Sequence, residues 1–536
     1  EEAMDNTILE KATAWANNSY FDEESRKEIQ TLINNKDEKE LTERFYKNLE
    51  FGTGGMRSII GAGSNRINTY NIRKASQALA TEVINANPSI KKRGIAISYD
   101  SRKFSFEFAK EAAGVFAGNG INAYIFERMN PVAMVSFSTR HHNAQAGIMV
   151  TASHNPPEYN GYKVFWNDGA QVTPPNDKNI INHFNSISEY ATISYMNFDK
   201  GVEEGLIHWV GEDVENKYYD AIKSIAINPQ LCQDRGSELG IIYTPIHGTG
   251  LLPCTRALND LGLTNYKVVE EQAQPDHRFP TVTSPNPENP SALAMAVDLM
   301  EKENADIVMG SDPDTDRLGV ALKHDGIVKY LNGNQIGILM LHYMLTNLKE
   351  QNRMPADPYF IKTIVTTPLQ AKIAAEFGVK CENTLTGFKW ICGLVNKIEK
   401  EEPNRNFLFG TEESFGYLNH GFARDKDGIS SVTLMAEMAL WYKTQNLNLF
   451  DALDKIYEQY GFSHESLLCL NYYGKEGAEE IGRMMENFRA ANYTEICGDK
   501  VSILEDFKLQ KSISFTDNSE SKLDLPSSNV LGFNFE

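Results

Sequence analysis

The chain has 536 residues, 41% hydrophobic and 23% charged. It is too long for one compact core and lies far from the low-hydrophobicity signature of disorder. Lys and Arg number 52 against 72 Asp and Glu, a formal net charge of −20, and without a basic block no nucleic-acid partner is expected. The same charge repels small anions, so a phosphate pocket must be assembled locally from Arg, Lys and backbone N–H groups.

Residues 1–50 carry apolar positions at helical spacing among many charges, including Leu32, Ile33, Leu41, Phe45 and Leu49, which predicts a helical lead-in. The pattern breaks at the glycines of Phe51-Gly-Thr-Gly-Gly-Met-Arg57. Strands at 95–99 and 123–126 alternate with helices at 105–118 and 132–142, the signature of a parallel-rich α/β sheet. A strand at 240–244, a helix at 292–302 and a strand at 306–309 outline a second such unit. A helix at 336–348, a strand at 360–365, a helix at 369–377, a strand at 407–409 and a helix at 432–441 outline a third, with no fixed sequence period relating them. From about residue 462 the chain changes character, with an amphipathic 478–488 and a polar, Ser- and Asp-rich tail.

The six cysteines, Cys232, Cys254, Cys381, Cys392, Cys469 and Cys497, are widely spaced and form no CxxC pair, which predicts reduced thiols and a cytoplasmic protein. The longest uncharged stretch, 330–348, contains Asn332, Asn334, Gln335 and His342, and the chain opens on acidic residues. Neither a membrane span nor an export signal is expected, although a processed start could precede Glu1.

Three segments carry chemistry, each directly after a predicted strand. Thr151-Ala-Ser-His-Asn-Pro-Pro157 follows the apolar run 146–150 and continues to Tyr159-Asn-Gly-Tyr-Lys163. It presents the Ser153 hydroxyl where α/β folds place ligands, with His154 and Lys163 as proton-transfer or charge partners. Taken alone, an ordinary Ser/Asx turn is the better account of Ser-His-Asn, since turn chemistry explains such residues without function. Gly310-Ser-Asp-Pro-Asp-Thr-Asp-Arg317 alternates three carboxylates, Asp312, Asp314 and Asp316, whose crowding calls for a hard cation such as Mg²⁺. An EF-hand would need Gly and Glu where Arg317 and Lys323 stand; a solvated acidic turn is the plain alternative. Gly410-Thr-Glu-Glu-Ser-Phe-Gly416 offers a carboxylate and a hydroxyl suited to sugar hydroxyls. Thr386-Gly-Phe-Lys389 and Arg424-Asp-Lys-Asp-Gly428 add glycines and cations suited to phosphate.

Together these loops resemble the α-D-phosphohexomutase superfamily, the phosphoglucomutases and phosphomannomutases, in the right order along nearly the whole chain. Thr151-Ala-Ser-His-Asn-Pro156 is similar to the phosphoserine loop, Asp312-Pro-Asp-Thr-Asp-Arg317 to the Mg²⁺ loop, Thr411-Glu-Glu-Ser-Phe-Gly416 to the sugar loop and Phe51-Gly-Thr-Gly-Gly-Met-Arg57 to the opening motif. The long lead-in, Thr386-Gly-Phe-Lys389 and the Glu-Glu-Ser-Phe form resemble the phosphoglucomutase and phosphopentomutase branch. The family's closing R-x-S-G-T-E-P phosphate loop has no counterpart here, for which a shortened or continuing chain is the expectation over natural loss.

Pattern and resemblance predict an α/β fold, with three similar mixed-sheet α/β domains around a central cleft, over 1–232, 233–333 and 334–461, plus a small, incomplete α+β C-terminal domain over 462–536. The resemblance implies a phosphosugar mutase in which phosphorylated Ser153 and Asp312, Asp314 and Asp316 share one Mg²⁺. Glucose 1,6-bisphosphate would be the activator and a small phosphosugar the partner, with monomer or dimer left open. It places Lys163 and His154 in proton transfer and Arg57 and Arg317 around the phosphoserine and substrate. Glu412 and Ser414 fall on sugar hydroxyls, and Thr386, Gly387, Lys389 and Lys426 on the substrate's phosphate side. Arg102 and His247 also follow strands, with cleft, core and turn roles open. Glucose, mannose and pentose phosphates remain alternatives as substrate. A non-catalytic sugar-phosphate binder and a Mg²⁺-dependent phosphatase are rivals, and a structural metal protein explains least.

Overall fold

The charged, apolar-striped opening of the chain folds as three helices, Asn6–Asn17, Glu23–Asn34 and Glu38–Phe45. Asp22 and Asp37 cap the second and third, accepting from the Ser25 and Glu40 N–H groups, as acidic side chains do at helix starts. Leu41 and Phe45 are buried with Trp15 and Phe21, whose rings stack 4.0 Å apart. The computed structural model describes residues 6–50, 55–86, 93–491 and 493–536, so Phe51 to Gly54 of the opening motif lie outside the described residues.

By its contacts the chain divides into two units, Glu1–Glu382 with Thr386–His464, and Asn383–Leu385 with Glu465–Glu536. The first unit holds three sheets. A six-stranded sheet runs in the order Met56–Ile59, Tyr159–Trp166, Ala146–Val150, Ile95–Tyr99, Ala123–Phe126, Ile207–Val210. Its last four strands pair in parallel and the first two antiparallel. The sequence reading carried the Ser153 loop on to Lys163; here Tyr159–Trp166 is a strand paired with Ala146–Val150. Burial explains it: Tyr162, Val164 and Phe165 enter the core, while the Asn160 amide is satisfied by Lys103 O and Ser105 Oγ. Lys163 is thereby fixed on a strand that neighbours the one ending at Ser153's loop.

A five-stranded sheet follows in the order Ile327–Leu331, Leu318–His324, Ile307–Ser311, Ile241–Thr244, Tyr266–Val268, and a four-stranded sheet in the order Lys380–Thr384, Pro358–Thr363, Asn406–Thr411, Tyr417–Leu418. In each of the three sheets a strand in parallel pairing ends where a chemistry-bearing loop begins, at Val150, Ser311 and Thr411. Loops at the carboxyl ends of such strands are where this architecture binds ligands. The largely apolar helix Gly428–Lys443 is buried along nearly its whole length, and the Lys426 loop is anchored at its start.

The second unit has the helix Gly474–Ala491 and an antiparallel sheet in which Asp499–Asp506 pairs with Lys511–Ser514 and Leu531–Phe535. Among the described residues no helix is long and apolar enough to cross a membrane, and the six cysteines are free.

Candidate active site

Ser153 sits in the left-handed region at φ 51°, a conformation a serine holds only when its surroundings impose it. Its N–H donates to Thr151 Oγ1 at 2.9 Å, and the Thr151 hydroxyl donates to Asp100 Oδ2 at 2.6 Å. Arg102, fully buried, settles its open assignment as a staple: its guanidinium donates to the Ser153, Asn155, Pro156 and Tyr159 carbonyls and faces the Phe279 ring from 5.1 Å. Arg102→Met is expected to lower the apparent Tm by roughly 5–10 °C, because Asp100 and four carbonyls lose a buried partner. A thermal scan showing no shift would contradict that role. His247 bonds Thr281 Oγ1 and Gln274 O, so it ties its turn to the 274–281 segment.

The Ser153 hydroxyl donates to Asp314 Oδ2 at 2.7 Å and accepts from Arg57 at 3.2 Å. Arg57 reaches it because Gly55, at φ 91°, lets the chain pass Tyr162 O, where a Cβ would stand 2.7 Å away. Lys163 donates to Asp314 Oδ2 at 2.8 Å and to Asp316 Oδ2 at 3.1 Å. Burial alone would lower the Lys163 pKa, yet Asp314 and Asp316 outweigh it and hold the ammonium charged. His154, by contrast, is held neutral by burial and by Arg317 and Arg57, and its Nδ1 is buried without a hydrogen-bond partner among the described residues.

The acidic loop is gripped through its backbone. Val132 and Gly428, the first residues of their helices, donate N–H to Asp314 O at 3.0 Å and Thr315 O at 2.9 Å, and Thr249 N donates to Pro313 O at 2.8 Å. Residue 428 must be glycine, since a Cβ would lie 2.4 Å from Thr315 O. Asp312, Asp314 and Asp316 are buried, and each keeps one carboxylate oxygen with no hydrogen-bond partner among the described residues. Oxygens of the three lie within 4.8 Å of one another. Burial, with Asp316 and Asp314 beside it, raises the Asp312 pKa well above the carboxylate range; Lys426 and Lys163 outweigh burial at Asp316 and lower it. Three orphaned oxygens in one buried cluster fit a hard divalent cation.

Glu412, buried at the end of Asn406–Thr411, accepts from Gly387 N at 3.0 Å, so the Thr386-Gly387 turn and the sugar loop meet. Burial pushes the Glu412 carboxyl up to about 7, with Lys426 opposing and Glu413 adding to the shift. Ser414 is half-buried and Thr386 exposed. Lys426 approaches Asp316 Oδ2 at 3.4 Å. Lys389 is not brought to the aspartates: its ammonium faces Asp177 at 4.0 Å and the Trp390 ring at 5.1 Å. Arg317 is committed to an ion pair with Glu288.

Sequence reasoning missed Glu288, Gln171, Asp425 and Lys362. Gln171 donates to Asp425 Oδ2 at 2.8 Å. Lys362, alone among apolar neighbours on a fully buried strand, donates only to the Thr363 and Thr366 carbonyls at 3.3 Å. A lone lysine inside Tyr359-Phe-Ile-Lys-Thr363 was the available signal; for the others the partner lies too far along the chain to show a pattern.

Family models described as phosphoglucomutase/phosphomannomutase, alpha/beta/alpha domains I, II and III, match residues 48–191, 216–326 and 332–460. The chain is similar to a phosphoglucomutase of Staphylococcus saprophyticus, 33% identical over 500 residues covering 93% of this chain and 88% of that one. It is also similar to a human phosphopentomutase, 32% identical over 525 residues covering 95% and 84%. The structure of the Paramecium phosphoglucomutase pp63/parafusin in its open form superposes with a TM-score of 0.64 at 18% identity, covering 91% of this chain and 86% of that one, a likeness of fold. The chain belongs to the α-D-phosphohexomutase superfamily, and it is a mutase of the phosphoglucomutase/phosphomannomutase family.

Proposed function

We propose that the protein interconverts hexose 1-phosphate and hexose 6-phosphate, with glucose as the sugar, through a phosphoryl group carried on Ser153 and a 1,6-bisphosphate. The observation that carries this reading is the placement of the Ser153 hydroxyl on Asp314, within a cluster whose unpartnered oxygens fit a cation. Asp312, Asp314 and Asp316 would hold Mg²⁺, which when bound supplies positive charge against the oxygens of the transferring phosphoryl group.

In the forward half-reaction the bond from phosphorus to Ser153 Oγ breaks as the sugar's 6-hydroxyl forms its own bond to phosphorus. The proton of that hydroxyl leaves, and Ser153 Oγ regains one. We assign proton transfer to Lys163, which shares Asp314 Oδ2 with Ser153, and to His154, which neighbours Ser153 in the chain. The second half-reaction returns the 1-phosphate to Ser153 after the bisphosphate has turned over. Arg57 steadies Ser153, Lys426 meets the substrate's phosphate side and Glu412 accepts from sugar hydroxyls.

Intact mass before and after glucose 1,6-bisphosphate, with peptide mapping at Ser153, tests the covalent step. A phosphoryl adduct discharged by glucose 1-phosphate is expected; no adduct, or release of inorganic phosphate, would overturn the mutase cycle. The human phosphopentomutase matches almost as well as the staphylococcal enzyme, so pentose 1-phosphate is the second reading, and faster discharge by ribose 1-phosphate would favour it.

Glu412→Ala is expected to raise KM for the sugar phosphate about 10-fold or more while Ser153 phosphorylation by the bisphosphate persists. Because burial places Glu412 near 7, the carboxylate that accepts from sugar hydroxyls forms only as pH rises. KM should therefore improve between about pH 6 and 8, and Glu412→Gln should flatten that part of the profile. A profile unchanged by Glu412→Gln would assign the titration elsewhere.

A further inference from the structure

The strand that carries Lys163 does not end the contribution of its chain segment. After Trp166 the backbone turns and doubles back, with Trp166 N donating to Ala170 O at 2.8 Å and Val172 N to Val164 O at 3.0 Å, so that Gln171 lies opposite Phe165. This return segment meets the loop ahead of Gly428–Lys443. Ala170 forms a parallel bridge with Arg424, and Ser136 Oγ joins the two sides by donating to Gly169 O at 2.6 Å while accepting from Arg424 N at 2.7 Å. At the centre the Gln171 amide donates to Asp425 Oδ2 at 2.8 Å, and Asp425 Oδ1 accepts from Lys426 N at 2.8 Å. Gln171 is 9% exposed and Asp425 1%.

Asp425 thus uses one oxygen on Gln171 and the other on the backbone of the lysine that follows it. Lys426 then reaches Asp316 Oδ2 at 3.4 Å, the oxygen that Lys163 holds at 3.1 Å. Two lysines borne on separate segments converge on one carboxylate oxygen, and the Gln171–Asp425 contact ties those segments together. Without it the Asp425 carboxylate would keep its bond to Lys426 N and the attraction of Lys163 and Lys426, but no hydrogen bond across to the segment that bears Lys163 among the described residues; a displacement of about 1 Å in a positioning group is enough to be felt in turnover.

We propose that Gln171 is a positioning residue of the mutase reaction, which through Asp425 holds Lys426 where it meets the phosphosugar. The inference rests on the reading of Lys426 as a substrate-facing cation.

The test uses the full chain with Mg²⁺, glucose 1-phosphate as substrate and glucose 1,6-bisphosphate as activator. Gln171→Met keeps the side chain's length and removes its donor. It is expected to raise KM for glucose 1-phosphate about 10-fold with kcat reduced less than 3-fold, and to leave the Ser153 adduct formed by the bisphosphate detectable by mass. Introduced into a Lys426→Met background, it should raise KM no further, because contacts acting through one residue are not additive. A purely structural role would lower Tm and leave KM in place. KM unchanged in Gln171→Met, or a full additional 10-fold in the Lys426→Met background, would overturn the inference while the Ser153 chemistry stands. Absence of a Ser153 adduct in the unsubstituted protein would overturn the reading beneath it, and the inference with it. Should Gln171→Met not give folded protein, Gln171→Asn, one methylene too short to reach Asp425, carries the same expectation and the same contrary outcome.

Discussion

Ser153→Ala is expected to abolish mutase turnover, by roughly 10⁴-fold or more, the scale on which loss of a covalent nucleophile is felt. The fold should survive, because what holds the loop is backbone. Arg102 grips the Ser153 carbonyl at 2.7 Å and Thr151 takes its N–H, and neither contact uses the hydroxyl. Only the bonds to Asp314 and Arg57 disappear, and Asp314 Oδ2 keeps Lys163. Alanine also tolerates the left-handed backbone about as well as serine does. A coupled assay should then read background while the thermal transition stays within a few degrees of the parent. Turnover at the parent's rate would remove Ser153 from the centre of the chemistry; lost activity with a lost fold would assign the hydroxyl a structural role.

Asp314→Asn is the second large effect. Asp314 is the aspartate that joins everything: Oδ2 accepts from Ser153 and Lys163, and Oδ1 faces the cluster without a partner. An amide at this position loses a charge and turns either a donor toward Lys163 or a donor toward the cation position, each of them unfavourable. The expected outcome is a Mg²⁺ activation curve displaced to at least about 100-fold higher concentration and a comparable fall in kcat, given that even outer-shell changes at metal sites cost 10- to 100-fold. A Mg²⁺ titration superimposable on the parent's would count against the acidic loop as the metal site. Calorimetric titration of Mg²⁺ without substrate separates lost binding from lost chemistry.

The three loops were legible because their chemistry is local. Asp312, Asp314 and Asp316 alternate in sequence and end as one buried cluster, since a turn this short cannot separate them. Ser153 and Glu412 were visible as polar residues at the ends of apolar strands, and strand boundaries such as Ile95–Tyr99 and Ala146–Val150 coincide with runs of hydrophobic residues. Tyr159–Trp166 was not legible as a strand, because Asn160, Gly161 and Lys163 interrupt its apolar pattern, and the Asn160 and Lys163 side chains find their partners far along the chain.

Lys389 shows the same limit from the other side. Beside a glycine it reads as a phosphate ligand, and that Asp177, supplied by a distant helix, stands 4.0 Å from it shows only in the structure. Arg317 reads in sequence as a cation around the phosphoserine and substrate, and its pairing with Glu288 shows only in the structure. The charge on Lys163 is the clearest case. Burial by itself would depress its pKa, yet two carboxylates from the loop of another sheet reverse the sign.

The amino-acid sequence by itself determined the α/β class, the order of the loops and the residue types at the cluster, because hydrophobic periodicity and turn chemistry act over a few residues. Only the tertiary structure decided which cations meet which carboxylates, which backbone groups grip the acidic loop and that Gln171 reaches Asp425. Those contacts join residues far apart in the chain, and the Coulomb and desolvation energies that set their protonation depend on distance and burial in three dimensions.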